Sequence, residues 1–204
     1  MSMNSLLALF GAMCLLAIVP GPAVFAVFAR AFSSGLSHGI YMTAGIVLGD
    51  YVFIVIALFG LSVLAEIMGP TFLFIKYFGA AYLVWLGYKL LRAKASSIDL
   101  AAAKDCSRVS SFSTGLLITL GNPKAILFYV GIFPAFINVG DVTFYDTASI
   151  MLAATLAFGG VNIGYSLLAV KARDSFRSPN ASTVINRVAG TIMVSTGVLF
   201  AIRA

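Results

Sequence analysis

Six long apolar runs separated by short polar breaks form the main pattern of this sequence. They cover residues 4–29, 40–65, 71–91, 112–137, 147–170 and 185–202. A helix that crosses hydrocarbon needs about 20 residues at a rise of about 1.5 Å per residue, and these runs are close to that length. We therefore predict an all-α membrane protein of six transmembrane helices, in a single transmembrane domain over residues 1–204.

Composition supports lipid as the surrounding solvent. Of the 204 residues, 61% are hydrophobic and 10% are charged, and the mean hydropathy is +1.04. A soluble domain carries about 25% charged residues. A membrane β-barrel would show alternating segments of about 10 residues, whereas these apolar runs are unbroken. The first run exceeds the apolar core of a signal peptide, about 7–15 residues, and is read as a retained span.

Lys and Arg residues cluster beside alternate breaks. Breaks one, three and five carry Arg30, Lys89, Arg92, Lys94, Lys104, Arg108, Lys171, Arg173, Arg177 and Arg187. Breaks two and four carry Glu66, Asp141 and Asp146 instead. The positive-inside rule therefore puts breaks one, three and five in the cytoplasm and both termini outside. The net charge of +6 reflects this topology, so no nucleic-acid partner is expected.

The two halves of the chain, about 4–92 and about 112–203, are weakly similar. Residues 16–22 (LAIVPGP) resemble residues 118–124 (ITLGNPK), and both are apolar stretches interrupted by proline. Each half has three predicted spans, so the halves enter the membrane from opposite faces. Inverted repeats are typical of transporters, whose sites lie near the midplane where broken helices meet. We predict two inverted three-helix repeats with broken helices 1 and 4.

Two breaks near mid-membrane are candidates for chemistry. They contain Pro20, Gly21 and Pro22 in the first span and Asn122, Pro123 and Lys124 in the fourth. Proline removes backbone donors, and the carbonyls left over are tolerated in lipid only where protein or a watery cavity satisfies them. A kink that serves packing is the plain alternative. The matched breaks favour a functional opening, whose carbonyls and amides can hold an ammonium and a carboxylate.

Asp50 and Lys124 are the acidic and the basic residue at mid-membrane depth. One interpretation is a structural ion pair between them. In the other, Asp50 meets a substrate cation or carries a proton, and Lys124 meets a carboxylate. The two are compatible, because a pair can open when substrate arrives. We favour the functional interpretation, because ionisable groups inside membranes are functional by default.

Uncharged residues complete the candidate set. Asn122 adjoins a break and is assigned to the site with Asn162, although either amide can simply bond between helices. Gly45 and Gly49 lie four residues apart and are expected to let another helix approach closely. Rows of small residues, such as 79–81 and 159–160, are compatible with internal packing or with a homodimer face.

No cofactor, metal site or enzymatic activity is expected. His38 is the single histidine and is predicted to be solvated in a loop, far from any nucleophile at membrane depth. Cys14 and Cys106 are predicted to lie far apart as unpaired thiols. The sequence has no phosphate-binding loop of the kind that ATPases use. A small cavity with both signs of charge suits a zwitterion, and an α-amino acid is the obvious one.

Four short segments in order resemble the LysE/RhtB family of amino-acid exporters. They are Pro20-Gly21-Pro22, GIVLGD at 45–50, KYFGAAYLVWLGYKLLR at 76–92 and GNPKAILF at 121–128. The resemblance covers nearly the whole chain and implies proton-driven export of amino acids or close derivatives across the bacterial inner membrane. Substrates in the family include threonine, homoserine, homoserine lactone, lysine and arginine, and nothing in the sequence selects one. The resemblance implies a functional role for the residues that match the family's motifs, namely Pro20, Gly21, Pro22, Gly49, Asp50, Asn122, Pro123 and Lys124.

The predicted function is therefore a multi-pass secondary exporter of amino acids whose partners are the substrate, protons and lipid. A channel, or a transporter for another small solute, is the alternative. A selective pore usually needs a ring of like groups, and one acid and one base of opposite charge do not form such a ring in a monomer.

Overall fold

The computed structural model describes residues 1–59, 70–92, 107–129, 133–137, 142–175 and 179–202, and the regular elements within them are all helical. The helices are α1 (Met3–Ile18), α2 (Pro22–Ser34), α3 (Leu36–Phe59), α4 (Pro70–Arg92), α5 (Arg108–Leu120), α6 (Pro123–Leu127), α7 (Phe144–Ala154), α8 (Gly160–Ser175) and α9 (Pro179–Ile202). A 3₁₀ turn covers Phe133–Phe136, and a π-helical segment, Thr155–Gly159, joins α7 to α8. The predicted free thiol Cys106 lies outside the described residues.

Both predicted helix breaks are confirmed. In the first span α1 ends at Ile18 and α2 begins at Pro22, with a bend of 59° between them. In the fourth, α5 ends at Leu120 and α6 begins at Pro123. Proline favours the first position of a helix because the amide it lacks would have no partner there. Each proline therefore ends one helical segment and starts the next.

The described residues contain fewer clear membrane spans than the six predicted. Two continuous helices, Leu36–Leu58 and Phe144–Arg173, are long and apolar enough to cross a membrane, and the bent pair α1–α2 can count as a third. The predicted span 112–137 is divided among α5, α6 and the 3₁₀ turn. The structure thus supports a helical membrane protein without confirming six spans.

The predicted first loop is largely helical. Residues 30–39 were expected to separate two spans, but α2 continues to Ser34 and α3 begins at Leu36. Gly35 alone joins them, with φ at 91°, and its amide donates to the carbonyl of Ala31 over 2.9 Å. A positive φ of this kind favours glycine, which has no Cβ to clash. The connection is therefore a tight turn.

His38 is not the solvated loop residue that we predicted. It lies in the first turn of α3, is partly buried, and its Nδ1 is 3.0 Å from Oγ of Ser111 on α5. The expectation was wrong because helix α3 starts earlier than the apolar run does. This polar contact joins α3 to α5 at one end.

Glycines set the packing of α3 against α5. A Cβ added to Gly45 would overlap the carbonyl oxygen of Phe112, and one on Gly115 would overlap that of Met42. A Cβ on Gly49 would lie 2.7 Å from Cβ of Thr119. The packing role predicted for Gly45 and Gly49 is confirmed, and this contact brings the residue after Gly49 close to the end of α5.

A second close pair joins α4 to α9. A Cβ on Gly87 would lie 2.7 Å from the carbonyl oxygen of Gly190, and the reverse distance is also 2.7 Å. Helix α2 lies against α3, α8 and α9. The two halves of the chain are therefore interleaved.

An aromatic cluster occupies the core on one side of the breaks. The ring of Tyr129 lies 5.1 Å from Phe128 and 5.5 Å from both Phe53 and Phe133, measured between centroids. Phe128 also contacts Phe158 of the π-helical segment at 6.3 Å. Offset and edge-to-face contacts of this kind fix ring orientation. The cluster therefore holds Tyr129 in one place beside the breaks.

We predict that Gly45→Ala destabilises the protein, because its Cβ would push the α5 carbonyl of Phe112 away. Overpacking of this kind lowers the free energy of unfolding by about 1–3 kcal/mol. Thermal unfolding in detergent, followed by fluorescence of Trp85, measures the effect. Gly164→Ala on α8 is the matched control, because no described residue outside its own helix turn lies within 4 Å of an added Cβ. Equal melting temperatures for the two variants would contradict the packing described for α3 and α5.

Candidate functional site

A cavity lies where the two broken helices meet α3 and α8. Its volume is about 50 Å³. Five of the predicted site residues line it, namely Gly21, Asp50, Asn122, Lys124 and Asn162. The remaining lining residues are Leu16, Ala17, Ala23, Val24, Ile46, Thr119, Ala125, Tyr129 and Phe158. The cavity thus combines a few polar groups with mainly apolar walls.

The other four predicted site residues are not among the residues that line this cavity. Pro22 and Pro123 are buried as the first residues of α2 and α6, where they fix the start of each helix. Gly49 packs against Thr119. Pro20 lines a separate apolar groove of about 270 Å³, together with residues that include Tyr165. These four residues shape the breaks and their packing, while the polar groups of the cavity come from their neighbours.

The carbonyls released by the first break have partners within the protein. Nζ of Lys124 donates to the carbonyl oxygen of Leu16 over 2.5 Å and to that of Val19 over 2.6 Å. The hydroxyl of Tyr165 donates to the carbonyl of Ile18 over 2.9 Å. In an apolar environment an unsatisfied backbone carbonyl is costly. The lysine of one broken helix therefore stabilises the other.

Asn122 organises the second break locally. Its Oδ1 accepts a hydrogen bond of 3.1 Å from the amide of Lys124, which caps the N-terminus of α6. Asparagine is among the best residues for this role because its side chain satisfies an amide that has no partner in the helix. The cap holds Lys124 at the start of α6, close to the first break.

Asp50 and Lys124 do not form the structural ion pair that we considered. Among the described residues, the Lys124 ammonium bonds to backbone carbonyls, and Oδ2 of Asp50 has no hydrogen-bond partner. Asp50 is only 3% exposed. The ion-pair interpretation is wrong because the freed carbonyls of α1 take the ammonium. The cavity therefore keeps a buried carboxyl group that is not neutralised by its lysine.

Four buried polar atoms without a partner belong to residues that line this one cavity. In the described part of the chain they are Oδ2 of Asp50, Oγ1 of Thr119, the hydroxyl of Tyr129 and Oδ1 of Asn162. The Tyr129 hydroxyl lies near the Asp50 carboxyl, without a hydrogen bond of normal geometry between them. The amide nitrogen of Asn162 is engaged, since it donates to the carbonyl of Phe158 over 2.8 Å. Buried polar side chains in folded proteins nearly always have partners, so such a concentration marks a place for a ligand or water.

Sequence reasoning missed Thr119 and Tyr129. The predicted site consists of charged groups, amides and helix breakers, whereas both of these residues contribute hydroxyls. Thr119 lies three residues before Asn122, on the last turn of α5. Tyr129 lies within the apolar run that follows Lys124. A hydroxyl residue close to a break is the sequence signal that points to both.

No metal centre is evident in the part of the chain that the structure describes. No group of three or more His, Cys, Asp or Glu side chains there could hold an ion. The described residues that line the cavity supply one carboxyl group, one ammonium group and neutral polar atoms between apolar walls.

Comparison with known proteins places these features in a family. The sequence profile of the LysE type translocators matches residues 14–204. An uncharacterised membrane protein of Synechocystis is 43% identical over 99% of this chain and 98% of its own length. A leucine efflux protein of Klebsiella pneumoniae is 38% identical over 76% of this chain and 72% of its own length. No solved structure matches.

We predict that Lys124→Met destabilises the protein, because the carbonyls of Leu16 and Val19 then lose their donor. Hydrogen bonds to charged groups contribute about 1.5–3 kcal/mol. The melting temperature in detergent measures the loss. Lys89→Met is the control, since Lys89 is exposed at the end of α4 and its ammonium lies over the ring of Trp85. A Lys124→Met melting temperature at or above that of Lys89→Met would refute the stabilising role of Lys124.

Proposed function

This chain belongs to the LysE type translocator family, and on that premise we propose that it is a secondary transporter that exports amino acids from the bacterial cytoplasm. One observation carries the proposal: the cavity between two broken helices contains the carboxyl of Asp50 and the ammonium of Lys124, which are not paired with each other. A zwitterion presents the complementary charges. Membership of the family and efflux relatives point to a transporter rather than an enzyme.

The most favoured substrates are amino acids with a neutral, apolar side chain. Lysine or arginine would bring a second cation, and Asp50 is the one acidic residue among the described residues that line the cavity. The walls are largely aliphatic, with Val24 and Ile46 among the lining residues. Relatives named leucine efflux protein fit this reasoning. Leucine is therefore the first substrate to test, ahead of the cationic substrates that the family resemblance also allowed.

Inverted repeats would give the cavity its alternating access. In this arrangement α1–α2, α3 and α4 correspond to α5–α6, the α7–α8 helix and α9. The two breaks then occupy equivalent positions, and each has proline at the first residue of the following helix. The close contact between Gly87 of α4 and Gly190 of α9 would lie on the pseudo-twofold axis. Rocking of the halves about the cavity would expose it to each side in turn.

Proton antiport is the proposed source of energy. Asp50 is buried and can be neutral or charged, so its proton can exchange for the substrate as the cavity changes sides. A carboxyl group that alternates between a proton and a cationic partner links the two movements. With the positive-inside orientation, outward release of substrate is accompanied by inward movement of a proton across the inner membrane.

We predict that cells that produce the protein export leucine and that Lys124→Ala strongly slows the export. Cells are loaded with a leucine dipeptide, and leucine in the medium is measured over time. Loss of a charged contact to the substrate carboxylate would lower the rate about tenfold or more. Lys89→Ala, which lies outside the cavity, is the control, and immunoblots check that each variant reaches the membrane. Export by Lys124→Ala at the rate of Lys89→Ala would refute the role of this lysine.

We predict that Asp50→Asn loses uphill transport driven by a pH gradient but keeps downhill exchange at raised leucine concentration. The amide cannot exchange a proton, so the two movements become uncoupled. Labelled leucine in proteoliposomes with an imposed pH gradient measures the first, and exchange without a gradient measures the second. Asp146→Asn is the control, because its carboxylate caps α7 outside the cavity. Gradient-driven accumulation by Asp50→Asn would exclude Asp50 as the proton carrier.

A further inference from the structure

The four unpartnered polar atoms of the cavity match the hydrogen-bonding needs of one ligand group. Asp50, Thr119, Tyr129 and Asn162 are each 1–3% exposed, so water outside the protein does not satisfy them. They come from three different parts of the fold, namely α3, the α5–α6 break with the residues that follow it, and α8. Leaving one such group unsatisfied costs about 1–3 kcal/mol. Four in one place indicate that something binds there.

The chemistry of these atoms favours a donor ligand with a positive charge. A carboxylate oxygen and an amide carbonyl oxygen can only accept hydrogen bonds, and the two hydroxyls can accept as well. The amide of Asn162 is held in this orientation because its nitrogen already donates to Phe158. A ligand carboxylate, by contrast, would meet acceptor oxygens and the charge of Asp50. An ammonium with three N–H donors suits this set.

The ammonium of the protein's own lysine does not occupy this place. Nζ of Lys124 bonds to the carbonyls of Leu16 and Val19, although Lys124 and Asp50 line the same cavity. The hydrogen-bond acceptors around Asp50 are therefore available to the cation of a bound ligand. Lys124 remains on the other side as the group that can meet a carboxylate.

We propose that Asp50, Thr119, Tyr129 and Asn162 form a subsite for the primary α-ammonium group of the transported amino acid. Asp50 supplies the charge, and the other three fix the direction of the N–H donors. This inference rests on the proposed function and makes it more specific. A substrate with three N–H donors is preferred over secondary amines and over compounds without an amine.

Binding to the purified protein in lipid nanodiscs tests the subsite. Binding of L-leucine, of 3-methylbutylamine, which carries the ammonium alone, and of 4-methylpentanoate, which carries the carboxylate alone, is measured separately for each compound by calorimetry. Tyr129→Phe and Thr119→Val remove single hydroxyls with little change of shape. We expect each variant to bind L-leucine and 3-methylbutylamine about tenfold more weakly, because a hydrogen bond to a charged group is lost. The affinity for 4-methylpentanoate should stay unchanged.

Two matched controls remove hydroxyls that have partners elsewhere. Tyr51→Phe removes a hydroxyl that lies 2.6 Å from Oγ1 of Thr155, and Thr43→Val removes one that bonds to the carbonyl of Gly39 over 2.9 Å. Neither residue is among those that line the cavity. Both variants should bind all three compounds as the wild type does.

The outcomes separate the subsite from the transport function. If the wild type binds L-leucine and the two cavity variants bind 3-methylbutylamine unchanged, the subsite is refuted and the proposed function stands. If the variants lower the affinity for both analogues equally, they act on cavity shape, and the subsite is again refuted. Binding of the amine but not of leucine would support the subsite and refute the proposed substrate. Binding of neither by the wild type would refute both.

Discussion

The contact between the ammonium of Lys124 and the carbonyls of Leu16 and Val19 is the interaction on which the rest of the site depends. A helix can be interrupted inside hydrocarbon only if its released backbone groups find partners. Here the partner comes from the other half of the chain, so each break supports the other. The α1–α2 bend, the position of α6 and the cavity between them follow from this one arrangement.

Close helix packing then brings the acid to the same place. Gly45 and Gly115 let α3 and α5 approach until backbone lies against backbone. Gly49 touches Thr119 at the end of α5, and Asp50 follows it into the cavity. Small residues at such contacts replace the hydrophobic driving force that lipid does not supply between membrane helices. The same glycines that hold the fold together therefore also position its carboxyl group.

Local signals in the sequence were sufficient to predict the breaks and the close packing. Proline inside an apolar run interrupts the helix before it and suits the first position of the next one, so Pro22 and Pro123 indicated the positions of both breaks. Gly45 indicated a close approach because a Cβ is missing whatever the partner is. The partner of Lys124 could not be predicted in this way. Backbone carbonyls are the same in every residue, so the sequence does not show which ones lack a partner within their helix. Only the fold shows that the carbonyl of Leu16 is available to Lys124.

The roles of polar side chains inside apolar runs could not be predicted from the sequence either. Tyr129 sits in an aromatic cluster, and its ring is typical of a core residue. Its hydroxyl becomes informative only when the structure shows that it lacks a partner beside the cavity. Likewise, the polar residues around His38 predict a loop, whereas α3 starts before it. Burial and hydrogen-bond satisfaction are properties of the fold, and they could not be inferred from residue type and spacing.

The proposed mechanism depends on two cations binding at different places in the cavity, one from the protein and one from the substrate. The protein's own cation, the ammonium of Lys124, donates hydrogen bonds to the backbone carbonyls that the first break leaves without helical partners. The acceptors around Asp50 have no hydrogen-bond partner among the described residues, and in a low-dielectric interior such groups gain strongly from a charged partner. A proton on Asp50 removes the charge but leaves the other acceptors unsatisfied, whereas an ammonium satisfies both needs. In the proposed cycle the two occupants therefore compete for one carboxyl group, which is the condition for antiport.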